Sequence, residues 1–97
     1  MMVSDDFSLV VKVTAEIAEV DNQSILSDCR QSEVVEARMI AVKILSDMGY
    51  SPQRLSKYFH KSEQGIRVIL SAYYDRQNCN PLFLRMEKEI RNKLSIK

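Results

Sequence analysis

The chain has 97 residues with 45% apolar and 28% charged side chains, which is the size and composition of one soluble domain covering residues 1–97. With only 2 Gly, 2 Pro and no Trp, it has too few turn-forming residues for a β-sandwich or barrel and no glycine-rich loop for a nucleotide, so we expect an all-helical protein. The formal charge of +1 hides an asymmetry, since residues 1–51 carry four basic against nine acidic side chains and residues 52–97 carry ten against four.

The first half of the chain predicts three helices from apolar residues at three- and four-residue spacing. The first helix is capped by Asp5 or Asp6 and runs to about Val20, with an apolar stripe of Leu9, Val10, Val13, Ile17 and Val20. Asp21-Asn22 then caps a short turn of helix through Ile25 and Leu26, which is followed by a polar loop over residues 27–31. Ser32 caps a central helix that ends at Gly49 and has a broad apolar face of Val34, Val35, Ala37, Ile40, Ala41, Ile44, Leu45 and Met48.

The second half predicts three more helices, each opened by a capping residue. Ser51-Pro52 starts a helix of about two turns with Leu55, Tyr58 and Phe59 inward. Ser62 caps a longer helix that runs through roughly Arg76 on the apolar set Ile66, Ile69, Leu70 and Tyr73. Asn80-Pro81 starts a final basic helix whose apolar side comprises Leu82, Phe83, Met86, Ile90 and Leu94. We expect this last helix to close the core of a six-helix bundle, and the alternative is that it pairs between subunits.

Several functional classes lack the residues that they need. Cys29 and Cys79 stand fifty positions apart with no second cysteine or histidine near either, so we expect reduced thiols and no metal site. We assign no cysteine-histidine or serine-histidine-acid set, so we do not expect an enzyme, and we expect no cofactor or nucleotide. The acidic N-terminus and the lack of a long apolar run predict a cytoplasmic protein without a membrane contact.

The helices around residues 51–76 carry the most informative pattern. A short helix from Ser51, a tight turn at His60-Lys61 and a longer helix from Ser62 form the arrangement typical of a helix-turn-helix. Helical bundles without a DNA function also contain adjacent short and long helices, so the pattern alone leaves both interpretations open.

A second pattern lies in the central helix, where residues 34–41 read Val-Val-Glu-Ala-Arg-Met-Ile-Ala. Together with Ile25-Leu26-Ser27 before a loop that contains Arg30, and with Leu55 and Phe59 before the turn, this segment resembles the C-terminal DNA-binding domain of the bacterial replication initiator DnaA. The resemblance covers roughly residues 10–73 and implies a fold like that of the Trp repressor. The family's ATPase module has no counterpart here, so the chain looks like the DNA-binding domain standing alone.

In that family the second helix of the motif enters the major groove and contacts bases through its first turn. The resemblance places Lys61 on a family arginine and Ser62 on the family's capping aspartate, whereas residues 63–65 differ from the family's His-Thr-Thr. Gln64 is able to contact adenine, and Glu63 is able to accept a hydrogen bond from cytosine N4 but would repel phosphate. Gly65 contributes no side chain, so we expect a DNA target different from that of the family.

Backbone contacts are expected from further basic residues. The resemblance implies that Arg30 reaches into the minor groove, although the flanking basic residues of the family are missing and Asp28 stands beside it, which predicts weaker binding. Arg38 is expected either to contact a phosphate or to pair on the surface with a neighbour such as Glu36. The remaining phosphate contacts are expected from the residues that flank the turn, Arg54, Lys57 and Arg67.

These observations support two hypotheses of different classes. In the first, the protein binds duplex DNA through the helix-turn-helix and acts in replication or in transcriptional regulation. In the second, it is an interaction module that has kept the fold but no longer makes most DNA contacts, with another protein or a second copy of itself as its partner. The acidic first half, Asp28 and the substitutions at residues 63–65 favour the second hypothesis.

Overall fold

The computed structural model describes residues 3–27 and 30–94, with side chains from Asp6 onward, and this part of the chain is all-helical. Asp28 and Cys29 lie outside the described residues. Six helices follow one another, and their bounds are α1 Val3–Ala18, α2 Asn22–Leu26, α3 Ser32–Asp47, α4 Pro52–Tyr58, α5 Glu63–Cys79 and α6 Pro81–Leu94. The predicted fold class, an all-helical bundle of six helices, is therefore confirmed for the described residues. None of the described helices is long and apolar enough to cross a membrane.

The three predicted caps of the second half are present as side-chain hydrogen bonds. The Ser51 hydroxyl accepts from the Arg54 amide at 3.3 Å, and the Ser62 hydroxyl accepts from the Gly65 amide at 2.9 Å. The Asn80 side-chain oxygen accepts from the amides of Leu82 and Phe83. Each of these bonds satisfies an N–H group that the first helical turn leaves without a partner, which is why α4, α5 and α6 begin where the sequence predicts.

The caps predicted for the first half are wrong in detail. The first helix already begins at Val3, so neither Asp5 nor Asp6 is its N-cap. Asp21 occupies the N-cap position of α2 without a side-chain cap bond, and Gln31 rather than Ser32 precedes α3. Packing against the rest of the bundle, rather than a local cap, sets the start of these helices.

Three helices end in the same backbone motif, which shifts their ends from the predicted positions. The amides of Val20, Tyr50 and Lys61 each donate to the carbonyl five residues earlier, at 3.0, 3.1 and 2.9 Å. The residue before each of these amides has a positive φ, namely Glu19, Gly49 and His60. This geometry is the Schellman motif, so α1 stops at Ala18 and α3 at Asp47, two residues before the predicted ends. The fifth helix instead runs three residues beyond Arg76.

The central helix α3 is the axis of the core and packs against α1, α2, α4, α5 and α6. Six of its side chains are completely buried, namely Ala37, Ile40, Ala41, Val42, Ile44 and Leu45. The first helix meets α4 through Phe7, whose ring stacks on Tyr58 with 4.6 Å between centroids. Burial of this apolar set is the main stabilising contribution, at about 1.5–3 kcal/mol for each large side chain.

The final helix closes the core against α1 and α5, as the sequence predicts. Phe83 and Ile90 are buried, and Met86 and Leu94 pack against the same cluster. Three members of the predicted apolar stripes are not core residues, since Leu82 is 69%, Leu9 is 51% and Met48 is 38% exposed. Val11, which lies outside the predicted stripe of α1, is buried. The buried face of α1 is therefore wider than the predicted stripe, although it does not include Leu9.

Candidate nucleic-acid interface

The connection between α4 and α5 consists of four residues, 59–62, and is shaped by His60. His60 has a φ of 57°, and the Lys61 amide closes the turn on the Ser56 carbonyl at 2.9 Å. His60 is exposed and adopts a conformation that glycine adopts at least cost. The turn sets Ser62 in position to cap α5, so the Ser62 hydroxyl is engaged with the helix backbone.

An open cleft of about 350 Å³ lies beside the first turns of α5. It is lined by three predicted site residues from three separate segments of the chain, namely Arg30 before α3, Arg38 within α3 and Lys61 in the turn. The other lining residues are Gly65, Val68 and Ile69 of α5. Among the described residues, the charged side chains that line the cleft are all basic.

Arg38 has a different environment from the one the sequence predicts. Its side chain is only 6% exposed, and Nε donates to the Ile25 carbonyl at 2.7 Å. One terminal nitrogen, Nη2, donates to the carbonyls of Ser24 and Ser27 at 3.0 and 2.6 Å. Arg38 is therefore not a surface arginine, because the carbonyls at the C-terminal end of α2 hold its guanidinium. Glu36, its expected surface partner, binds Arg76 of α5 at 2.8 Å instead.

Arg67 is not among the residues that line the cleft. Its guanidinium binds the Glu63 carboxylate at 2.9 Å, one helical turn earlier, and both side chains are about half exposed. The Glu63 carboxylate therefore compensates the positive charge of the Arg67 guanidinium at the start of α5. Gln64 lies between the two in sequence and is exposed, so its amide is accessible to a partner.

The two basic residues of α4 stand outside the cleft. Arg54 is exposed, and its guanidinium lies over the Tyr50 ring at 4.7 Å from the centroid. Such a cation–π contact holds the side chain against the protein surface at a contribution of about 0.5–1 kcal/mol. Lys57 is exposed in the last turn of α4, where a cation interacts favourably with the helix dipole.

A second polar cluster joins α3, α5 and α6 on another part of the surface. The Tyr73 hydroxyl donates to Glu87, whose carboxylate also binds Arg91 at 2.9 Å. Arg91 and Lys43 both bind Asp47, at 2.6 and 3.0 Å. Burial, followed by the Glu87 hydrogen bond, raises the pKa of Tyr73 well above its ordinary value. Burial raises the pKa of Asp47, but hydrogen bonds from Lys43 and Arg91 outweigh it and hold that pKa below the ordinary value.

This second cluster is a set of structural ties between helices. The sequence contained a partial signal for it, since Lys43–Asp47 and Glu87–Arg91 both have the four-residue spacing of helix ion pairs. The contacts between the two pairs join residues 44 positions apart, and nothing local predicts them. No group of three or more His, Cys, Asp or Glu within the described residues is arranged to hold a metal ion.

Three residues of the cleft, Gly65, Val68 and Ile69, were not expected to contribute to the site. Val68 and Ile69 follow Gly65 by three and four positions, the spacing at which residues share one helix face. This spacing is a sequence signal for the side of the cleft that α5 forms. Arg30 and Arg38 line the cleft from positions far away in sequence, so no local pattern predicts their contribution. Comparison of the chain with protein-family models and with curated proteins finds no match in either case.

Proposed function

We propose that the protein binds duplex DNA, with α4, the turn at 59–62 and α5 acting as a helix-turn-helix. The observation that carries this proposal is the convergence of Arg30, Arg38 and Lys61 on one cleft beside the start of α5. Arg30 and Lys61 come from two separate segments of the chain and Arg38 adds a buried positive charge behind them, an arrangement suited to contact with a phosphate backbone. The resemblance of residues 34–41 to the DnaA DNA-binding domain supports the same interpretation.

The proposed roles differ among the site residues. Arg30 and Lys61 contact phosphates, and Arg38 contributes positive charge from a buried position while it anchors α2. Gln64 is exposed in the first turn of α5 and contacts a base edge. Arg54 and Lys57 lie on α4 and extend the phosphate contacts beyond the cleft.

The test is fluorescence anisotropy with a pool of random duplexes, repeated from about 50 to 200 mM salt. We expect binding that weakens with salt, and Lys61→Ala and Arg30→Ala each lower the salt slope by about 0.9, because each substitution removes one cation from the phosphate backbone. Lys12→Ala is the matched control, since Lys12 is exposed on α1 and does not line the cleft. A parent protein that fails to bind at low salt contradicts the proposal, as does an equal effect of the control.

The proposed cellular role is in replication or transcriptional regulation, in the cytoplasm. A protein of this kind acts by occupying DNA rather than by catalysis, and nothing in the proposed contacts needs a nucleotide or a cofactor. The two roles differ in the DNA site occupied, so selection of a preferred sequence from the random pool separates them.

A second candidate function is a protein-interaction module, and the pair Glu63–Arg67 favours it. Because the Glu63 carboxylate binds Arg67, the positive charge of Arg67 is compensated within the first turns of α5. Val68, the next residue after Arg67, is 56% exposed. An exposed apolar residue next to neutralised charges is suited to a protein partner or a second copy. Sedimentation at rising protein concentration tests self-association, and Val68→Asp is expected to abolish it if this function is the correct one.

A further inference from the structure

Gly65 stands at a position where the local structure does not require a glycine. Of the two glycines in the chain, only Gly49 has a positive φ. A Cβ atom built on Gly65 meets the Ser62 hydroxyl oxygen at 3.2 Å and the Lys61 Cβ at 3.6 Å. The first atom is the hydroxyl oxygen that caps α5 and would have to move by a few tenths of an ångström to admit the Cβ, and the second is at an ordinary van der Waals distance. Helices capped by serine commonly carry a glutamate or glutamine three residues after the cap, so the cap also permits a side chain here.

Glycine at position 65 carries a cost in helix propensity. Apart from proline, glycine is the least favourable residue within a helix, because it loses the most backbone freedom on folding. Alanine at position 65 would therefore favour α5 over the present residue. The backbone φ at position 65 does not require a glycine, so the space that its missing side chain leaves beside α5 is the feature to explain.

The space left open is the part of the basic cleft next to Lys61. Gly65 lines this cleft together with Arg30 and Arg38, and the described residues place no acidic side chain in its lining. Its volume of about 350 Å³ falls within the range of sites that hold small ligands or parts of larger ones, about 300–1,000 Å³. The cleft is therefore large enough to admit an anionic group rather than only the end of a neighbouring side chain.

We propose that Gly65 keeps the cleft open for a phosphate group, which Arg30 and Lys61 contact from its two sides. This inference rests on the proposed function, under which the phosphate is a phosphodiester of duplex DNA. Gly65 is thus a positioning residue, since it lets the DNA backbone approach α5 more closely than any other residue at this position allows. The size of the side chain at position 65 then controls affinity, independently of the charge of the cleft.

The experiment separates the stability of α5 from the affinity for DNA. Gly65→Ala and Gly65→Leu are compared with the parent by thermal unfolding and by anisotropy with a labelled random duplex at about 50 mM salt. We expect Gly65→Ala to raise Tm by about 4 °C while it weakens binding, and Gly65→Leu to weaken binding by about tenfold. Asn78→Ala is the matched control, because it improves helix propensity in α5 far from the cleft, and it should leave affinity unchanged.

Each outcome decides either the inference or the proposed function. If the parent binds DNA and both Gly65 variants bind as tightly, the inference is overturned and the proposed function stands. If the parent does not bind DNA, titration with inorganic pyrophosphate is followed by the amide signals of Lys61 and Gly65. Shifts that disappear in Gly65→Leu then support a phosphate site with another source of phosphate, and the absence of shifts overturns both proposals.

Discussion

The guanidinium of Arg38 in α3 donates from Nε to the Ile25 carbonyl of α2 at 2.7 Å, across thirteen positions of sequence. The five-residue helix α2 is too short to be stable by itself, and its carbonyls have no further helical turn to bind. A buried cation at its C-terminal end satisfies those carbonyls and interacts favourably with the helix dipole. Arg38 therefore holds the C-terminal end of α2 against α3.

Arg38→Ala is expected to lower the free energy of unfolding by about 3 kcal/mol, since several carbonyls lose a charged donor at once. Urea unfolding followed by circular dichroism measures the change. Arg85→Ala, at an exposed position of α6, serves as the control and should change stability by less than about 0.5 kcal/mol. An Arg38→Ala protein as stable as the parent would show that the guanidinium does not hold α2.

Glu63→Gln is expected to release Arg67 for contact with DNA and to steepen the salt dependence of binding by about 0.9. The free energy of unfolding should change by less than about 1 kcal/mol, because the Glu63–Arg67 pair is about half exposed to solvent. Anisotropy over a range of salt concentrations measures the slope. Glu89→Gln, an exposed position on α6, removes the same charge elsewhere and controls for net charge.

The double variant Glu63→Gln with Arg67→Ala tests the cause of that change. If the released arginine produces the steeper slope, its removal returns the slope to the parent value. A slope that stays steep in the double variant would instead indicate that removal of the Glu63 charge acts on the DNA directly.

His60→Gly is expected to raise the free energy of unfolding by about 0.5–1 kcal/mol. A residue with a side chain is strained at the His60 φ of 57°, and glycine removes this strain at a smaller cost in the entropy of the unfolded chain. Thermal unfolding provides the measurement. His60→Ala keeps the strain and should show no gain, so equal effects of the two substitutions would argue against a backbone cause.

The protonation of Asp47 is expected to make the free energy of unfolding depend on pH in the acid range. Its folded-state pKa lies below the ordinary value, so its contribution is complete above about pH 4 and is lost as the pH falls through the folded-state pKa. Asp47→Asn should be less stable at neutral pH, by less than about 1 kcal/mol because the side chain is 37% exposed, and should lose less stability on acidification. Thermal unfolding from pH 7 to acid follows both proteins, and parallel curves would contradict the prediction.

Short-range sequence signals predicted the helices, and they located the helix starts more accurately in the second half of the chain than in the first. Ser51, Ser62 and Asn80 act within three residues of their own positions, so their sequence context predicts the starts of α4, α5 and α6. The start of α3 was predicted one residue late, because no side-chain cap marks it. The apolar spacing also predicted the core, apart from residues such as Leu9 and Leu82 whose exposure depends on how far neighbouring helices extend.

The candidate site depended on relationships that no local pattern contains. The sequence analysis placed Arg30 in a loop, Arg38 within the central helix and Lys61 in a turn, but their position on one cleft results from the packing of α2, α3 and α5. The burial of Arg38 was predicted wrongly, because an arginine on a helix faces either solvent or the carbonyls of another element, depending on where that element packs. Apolar spacing and, in the second half, local cap hydrogen bonds thus predicted the helices from sequence, whereas long-range packing decided which charges are exposed and which of them meet.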